Sequence, residues 1–258
     1  MYYLETNIIS NKDIMNEILG YTDKSFTSSF AILEMLKGLN KNTYSIKREI
    51  LLLLKKCNLA INWNTPEDQI YSSFPGLVDV RYEEYINKLK NIIETIYNES
   101  EYEEALRLYK EKSRSDFTDI DRLYTKYQMY VLKLFDANEQ QILNTVSKDV
   151  LGFICNHIVE QYMIGKNPTT QESDHLYMHL YNIYNNKLDI AIKGFQEYVY
   201  KYCSKKPNKN DFIDIMHLLY LENRSCRIVT NDKKLSSICI IGERKYCLSS
   251  KEFLIKIK

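Results

Sequence analysis

Tyr2-Tyr3-Leu4-Glu5-Thr6-Asn7 opens the chain with a short apolar run that stops on an acid. A helical pattern starts at about Asn7, where Ile8, Ile9, Ile14 and Ile18 recur at roughly helical spacing. The stretch predicts a strand over residues 1–5 with Glu5 at its C-terminal end. Open α/β sheets bind their ligands at that end of the strands. Three other stretches hold acids that would converge there: Ser29-Phe30-Ala31-Ile32-Leu33-Glu34-Met35-Leu36-Lys37-Gly38, Asn210-Asp211-Phe212-Ile213-Asp214 and Val229-Thr230-Asn231-Asp232-Lys233.

Ser28 or Ser29 can cap a helix whose buried face is Ile32, Leu33, Leu36 and Leu39, with Glu34 beside that face. A third helix is expected from about Tyr44 to Lys56, and Cys57 to Trp63 reads as the second strand. From about Asp79 to Lys205 the texture changes. Gly and Pro almost vanish before Gly152, Tyr, Glu and Leu are frequent, and Glu99, Glu101, Glu103 and Glu104 make an acidic surface. Ile120, Leu123, Tyr124, Tyr127, Tyr130, Val131 and Leu134 keep to one helical stripe. This segment is expected to be an all-helical insertion, too strongly patterned for a disordered linker.

Lys205-Lys206-Pro207-Asn208-Lys209-Asn210 is the turn back. Asp211 to Glu222 then reads as a helix, Cys226 to Val229 as a strand and Asp232 to Ser237 as a short helix. Tyr246 to Leu248 reads as a last strand, and Ser249 or Ser250 caps a final amphipathic helix. The expected fold is therefore α/β: a parallel sheet flanked by helices (residues 1–78 and 206–258) with a helical insertion (79–205) between the second and third acidic motifs.

With 258 residues and 45% hydrophobic content, the chain can build a substantial core. A net charge of +1 gives no global pull toward nucleic acid, so any such surface must be a local patch. Candidates for that patch are Lys37, Lys55, Lys56, Lys205, Lys206, Lys209, Arg224, Lys233 and Lys234, which serve equally as polar faces of amphipathic helices. The six cysteines form no Cys-x-x-Cys pair, which argues against a zinc ribbon and a planned disulfide set. No signal peptide or long apolar run is visible, so a cytoplasmic protein without membrane contact is expected.

Clustered carboxylates suit a hard divalent cation, because Mg²⁺ takes oxygen ligands. Crowded acids also repel one another, which raises their pKa values unless positive charge fills the centre. The four motifs, in this order, resemble the PIN-domain ribonuclease family, including its VapC-type toxins. The resemblance covers residues 1–64 and 208–258. It implies a PIN-like parallel sheet and RNA cleavage with Mg²⁺ or Mn²⁺, leaving a 5′-phosphate and a 3′-hydroxyl.

By the same resemblance Glu5 stands where the family has its first Asp and is a metal ligand, steadied by Thr6 and Asn7. Glu34 is a ligand or general base. Asp214, eighteen residues before Asp232, is the third acid and opens its helix, while Asp211 is a helix N-cap or a supporting acid. Asp232 is the fourth acid, supported by Thr230 and Asn231. The expected partners are an RNA substrate, such as a tRNA selected by the insertion, an inhibitory protein if the chain is a toxin or defence effector, and a second copy in a homodimer. DNA is open as a substrate.

Glu5 is one methylene longer than the family's Asp. Three readings of it stand: an active variant, a weakened or dead relative, and an attenuating substitution in a toxic protein. The alternative to a nuclease is a PIN-like binding module with a decayed site. His217 could contact a phosphate from one turn after Asp214, although its apolar surroundings favour a packed core histidine. His175 and His179 with Asp174 suggest a metal pair without a third ligand.

Overall fold

A computed structural model describes residues 1–71, 81–125, 155–156, 159–160, 169–187, 189–202, 209–221 and 225–257. Five strands, β1 (Tyr2–Leu4), β2 (Ser25–Ser28), β3 (Ala60–Asn62), β4 (Arg227–Val229) and β7 (Cys247–Leu248), form one sheet in the order β3-β2-β1-β4-β7. Every pairing in it is parallel. A separate antiparallel pair, β5 (Ile240–Ile241) and β6 (Arg244–Lys245), precedes the last strand.

Helices α1 (Thr6–Ile9), α2 (Lys12–Glu17), α3 (Ser29–Leu36), α4 (Lys41–Lys56) and α5 (Pro66–Tyr71) belong to the first half. Then come α6 (Arg81–Asn98), α7 (Tyr102–Ser113), a helical segment over 118–125, α8 (Thr170–Lys187) and α9 (Asp189–Tyr202). After these follow α10 (Lys209–Met216), a 3₁₀ turn (His217–Tyr220), α11 (Lys233–Ile238) and α12 (Ser250–Ile257). The molecule is thus α/β, with a five-stranded parallel sheet flanked by helices. No strand occurs among the described residues between 81 and 202. Tyr127, Tyr130, Val131, Leu134 and the turn at 205–208 lie outside the described residues, as do Arg224 and the side chain of Lys209.

Tyr3, Leu4, Ile228 and Val229 are fully buried at the middle of the sheet, as are Phe30 and Leu33 of α3. Each such aliphatic or aromatic side chain contributes about 1.5–3 kcal/mol of burial. Ser25–Ser28 corrects the expected strand order, since it is the second strand and Ala60–Asn62 is the third. All four of its residues are buried. Its sequence does not read as an apolar run, yet Thr27 Oγ1 donates to Leu4 O at 2.9 Å and Ser28 Oγ accepts from the Ala31 N–H at 3.1 Å. Those bonds let a polar strand occupy the interior.

Other boundaries also shift. The first helix breaks in two because Asn11 caps α2, accepting from the Asp13 and Ile14 N–H groups. An Asn40 capping box starts α4 at Lys41, three residues before Tyr44. The helix expected over 211–222 instead begins at Lys209 and tightens to 3₁₀ at His217. Neither α5 nor the β5–β6 pair was anticipated. Ser28 is the N-cap of α3, and Ser249 with Glu252 forms the reciprocal cap of α12. Among the described residues no helix is long and apolar enough to cross a membrane, and the cysteines there are buried.

Candidate metal centre

The C-terminal ends of the two central strands, β1 and β4, set the site. Where β1 stops, Glu5 takes an extended conformation and caps α1, its Oε1 accepting from the Asn7 N–H at 3.3 Å. Glu5 is only 6% exposed. Where β4 stops, Thr230 Oγ1 donates to Glu5 Oε2 at 3.0 Å and accepts from Asn7 Nδ2 at 3.1 Å and the Asp232 N–H at 3.0 Å. Asn7 Oδ1 accepts from the Asn231 N–H, and Asn231 Oδ1 accepts from the Ser250 N–H. The first and last acidic motifs are therefore tied together through Thr230, Asn7 and Asn231, residues far apart in the chain.

Glu34 reaches the same place from the second turn of α3. Its Oε2 accepts from Thr6 Oγ1 at 2.5 Å and lies 3.1 Å from His217 Nε2. Its Oε1 accepts from the Tyr124 hydroxyl at 3.4 Å. His217 is completely buried, with Nδ1 2.6 Å from Tyr3 Oη and Nε2 4.0 Å from Glu5 Oε1. Glu5, Glu34 and His217 offer one ligand atom each, all within 4.8 Å of one another. Among the described residues this is the group of acids, histidines and cysteines whose donors could hold a metal ion.

The four acids are not equivalent. Burial raises the Glu5 carboxyl, with His217 and the Thr230 hydroxyl acting against it and Glu34 adding to it. Burial also works to raise Glu34, but the His217 hydrogen bond and charge, with Thr6 and Tyr124, outweigh it and lower this carboxyl. Burial would lower His217, yet Glu34, Glu5 and Asp214 raise it. Asp214 is pushed up to about 7, by burial first and then by the Asp232, Glu34 and Glu5 charges, against a counter-effect from His217. Asp232 Oδ1 caps α11, accepting from the Leu235 N–H at 2.6 Å.

The structure brings Glu5 and Glu34 together, and puts Asp214 within electrostatic reach of Glu5, Glu34 and Asp232. It does not bring Asp214 or Asp232 into the close ligand group. Asp214 lies inside α10 rather than opening it, because that helix begins five residues earlier at Lys209. The same start makes Asp211 a helical residue, not an N-cap, and its side chain lies outside the described residues. His217 is both a buried core residue and a member of the site, a role its apolar sequence context concealed. Its position one turn after Asp214 was the available signal; Tyr3 gave none. His175, His179 and Asp174 are exposed on α8 and join no ligand group.

The donor chemistry fits a divalent cation. Burial and the neighbouring acids together push Asp214 up to about 7, and oxygen with imidazole nitrogen is a common first-row metal donor set. Around the acids, Lys37 lies 4.3 Å over the Tyr124 ring, and Lys234 lies 5.2 and 4.9 Å over Tyr198 and Tyr202. No family model, curated protein or solved structure matches the chain.

Proposed function

We propose that this chain is a metal-dependent endoribonuclease of the PIN type, with Glu5, Glu34, Asp214 and Asp232 around one Mg²⁺ or Mn²⁺ site. The observation that carries this reading is the convergence of Glu5 and Glu34 at a strand end, with Asp214 raised first by burial and then by its acidic neighbours. A cation held there would polarise water and neutralise charge developing on a phosphodiester. Thr230 orients Glu5 and Thr6 orients Glu34, so neither carboxylate needs to reorganise when RNA arrives. Without a cation Asp214 is pushed up to about 7, and a cation held there would favour its ionised form.

The described helices between residues 81 and 202 fit as part of a helical insertion beside the cleft. Tyr124 supports this by reaching Glu34, and Asp121 by accepting from the Gly38 N–H at 2.9 Å, just beyond α3. Structured RNA such as tRNA is the substrate we favour, and a toxin or defence effector with an inhibitory partner is the setting.

A second reading, a PIN-like binding module with a weakened site, has one observation in its favour. Both oxygens of Glu5 already accept hydrogen bonds within the protein. Cleavage of total tRNA and mixed-sequence RNA in Mn²⁺ by the native protein, Glu5→Asp and Asp232→Asn separates the two. The nuclease reading expects cleavage by the first two and not the third. Cleavage by Glu5→Asp alone assigns Glu5 as the attenuating residue, and cleavage by none rejects the nuclease.

A further inference from the structure

His217 has two nitrogens in different chemical settings. Nδ1 meets the Tyr3 hydroxyl at 2.6 Å, and that hydroxyl lies 2.9 Å from Ser28 Oγ, the cap of α3. Tyr3 is itself fixed, its ring centroid 5.4 Å from both Phe26 and Tyr220. Nε2 faces two carboxylates, with Glu34 Oε2 at 3.1 Å and Glu5 Oε1 at 4.0 Å. An imidazole that binds metal through one nitrogen almost always has the other held by a hydrogen-bonding partner, which fixes its tautomer and ring orientation. Tyr3 occupies that place.

Both separations from Nε2 suit one shared ion. Donors about 2.1 Å from a common metal lie about 3 Å apart at a right angle and about 4 Å apart when opposite. We propose that His217 Nε2 is a ligand of the cation beside Glu5 and Glu34, so that the site takes Mn²⁺, Co²⁺ or Zn²⁺ in preference to Mg²⁺. This rests on the metal-dependent reading above and departs from an all-carboxylate site. Imidazole nitrogen suits the first-row transition ions, whereas Mg²⁺ holds to oxygen. It also gives Glu5 a different meaning. The longer side chain shares its ion with a nitrogen donor held by Tyr3, and the remaining acids, Asp214 and Asp232, stand outside the close group.

The test is pulsed electron paramagnetic resonance of Mn²⁺ bound to the full chain, with natural-abundance and ¹⁵N-histidine protein compared, and with His217→Gln alongside. The expected result is a histidine nitrogen coupling that changes on labelling and vanishes in His217→Gln. Tyr3→Phe, which keeps the ring and removes the Nδ1 partner, should weaken Mn²⁺ binding by roughly 10–100-fold in calorimetry. It should change Mg²⁺ binding far less. If His217→Gln does not fold, the two labelled spectra of the native protein and Tyr3→Phe still decide. Bound Mn²⁺ without histidine coupling overturns the proposal and leaves His217 as a hydrogen-bond donor to Glu34. No Mn²⁺ binding overturns it together with the metal reading. Nitrogen-bound Mn²⁺ in a protein that cleaves no RNA upholds it and removes the nuclease instead.

Discussion

The two wings of the acidic site handle charge in opposite ways. Glu5 and Glu34 are enclosed by donors, from Asn7, Thr230, Thr6, Tyr124 and His217, and Glu34 is held low despite its burial. Asp214 has Asp232, Glu34 and Glu5 as like-charged neighbours and is pushed up to about 7. At Glu34 the donors outweigh burial, whereas at Glu5 and Asp214 burial outweighs what His217 offers. Burial is the largest influence on all three carboxyls, and the hydrogen bonds and charge of His217, with Thr6 and Tyr124, reverse it only at Glu34.

The largest effect expected from breaking this asymmetry is at His217. His217→Ala leaves Glu34 and the Tyr3 hydroxyl without their shared partner and should cost about 3–5 kcal/mol, the usual penalty for breaking a buried ion pair. Urea unfolding measures it. The pH dependence has a definite sign. Glu34 is lowered from 4.5, so its contribution is present above that pH and is lost as pH falls through the folded value. His217 is raised from 6.5, so its contribution is complete below that pH and is lost as pH rises through the folded value. The deficit in His217→Ala should thus be greatest between about pH 4.5 and 6.5, and a deficit independent of pH would mean lost packing alone.

Asp214→Asn tests the other wing in the opposite direction. A carboxyl raised from 3.8 to about 7 stabilises the fold below the lower value, and that stability is lost as pH rises through about 7. Removing the charge should stabilise the metal-free protein at pH 8 by on the order of 1–2 kcal/mol, with little effect near pH 4. A destabilised variant at pH 8 would show that the acids do not repel as described. Tyr124→Phe removes one long hydrogen bond to Glu34 and should cost about 0.5 kcal/mol in the same unfolding experiment. A cost of several kcal/mol would make the 118–125 segment a structural support of the site. Asp232→Asn should change stability by a few tenths of a kcal/mol, since Asn caps helices as well as Asp, while Mn²⁺ stabilisation of the protein falls.

Much of this arrangement was legible before the structure. Leu4-Glu5 reads as a strand end because apolar residues stop on an acid, and Asp232 reads as a helix start because Asn-Asp precedes a short amphipathic run. Ser25–Ser28 was hidden, since a buried strand is recognised by its apolar residues and this one buries hydroxyls, those of Thr27 and Ser28 hydrogen-bonded, around a single Phe26. His217 was hidden for a similar reason. Its neighbours Ile215, Met216 and Leu218 are buried core, and only the fold brings Tyr3 to one of its nitrogens and Glu34 to the other. Asp214 was legible as an acid of the site but not as a residue inside its helix, because Asn208, Asn210 and Asp211 are all residue types that start helices and the sequence does not choose among them.

Thermal unfolding at pH 8 with increasing Mn²⁺, on the chelator-treated protein, tests the metal centre most directly. Binding to the folded state alone should raise stability by RT ln(1 + [L]/Kd), about 2.7 kcal/mol at a hundredfold excess over Kd. The account predicts a melting temperature that climbs with Mn²⁺ in the native protein and climbs less in Asp214→Asn. An unchanged melting temperature at millimolar Mn²⁺ would contradict it.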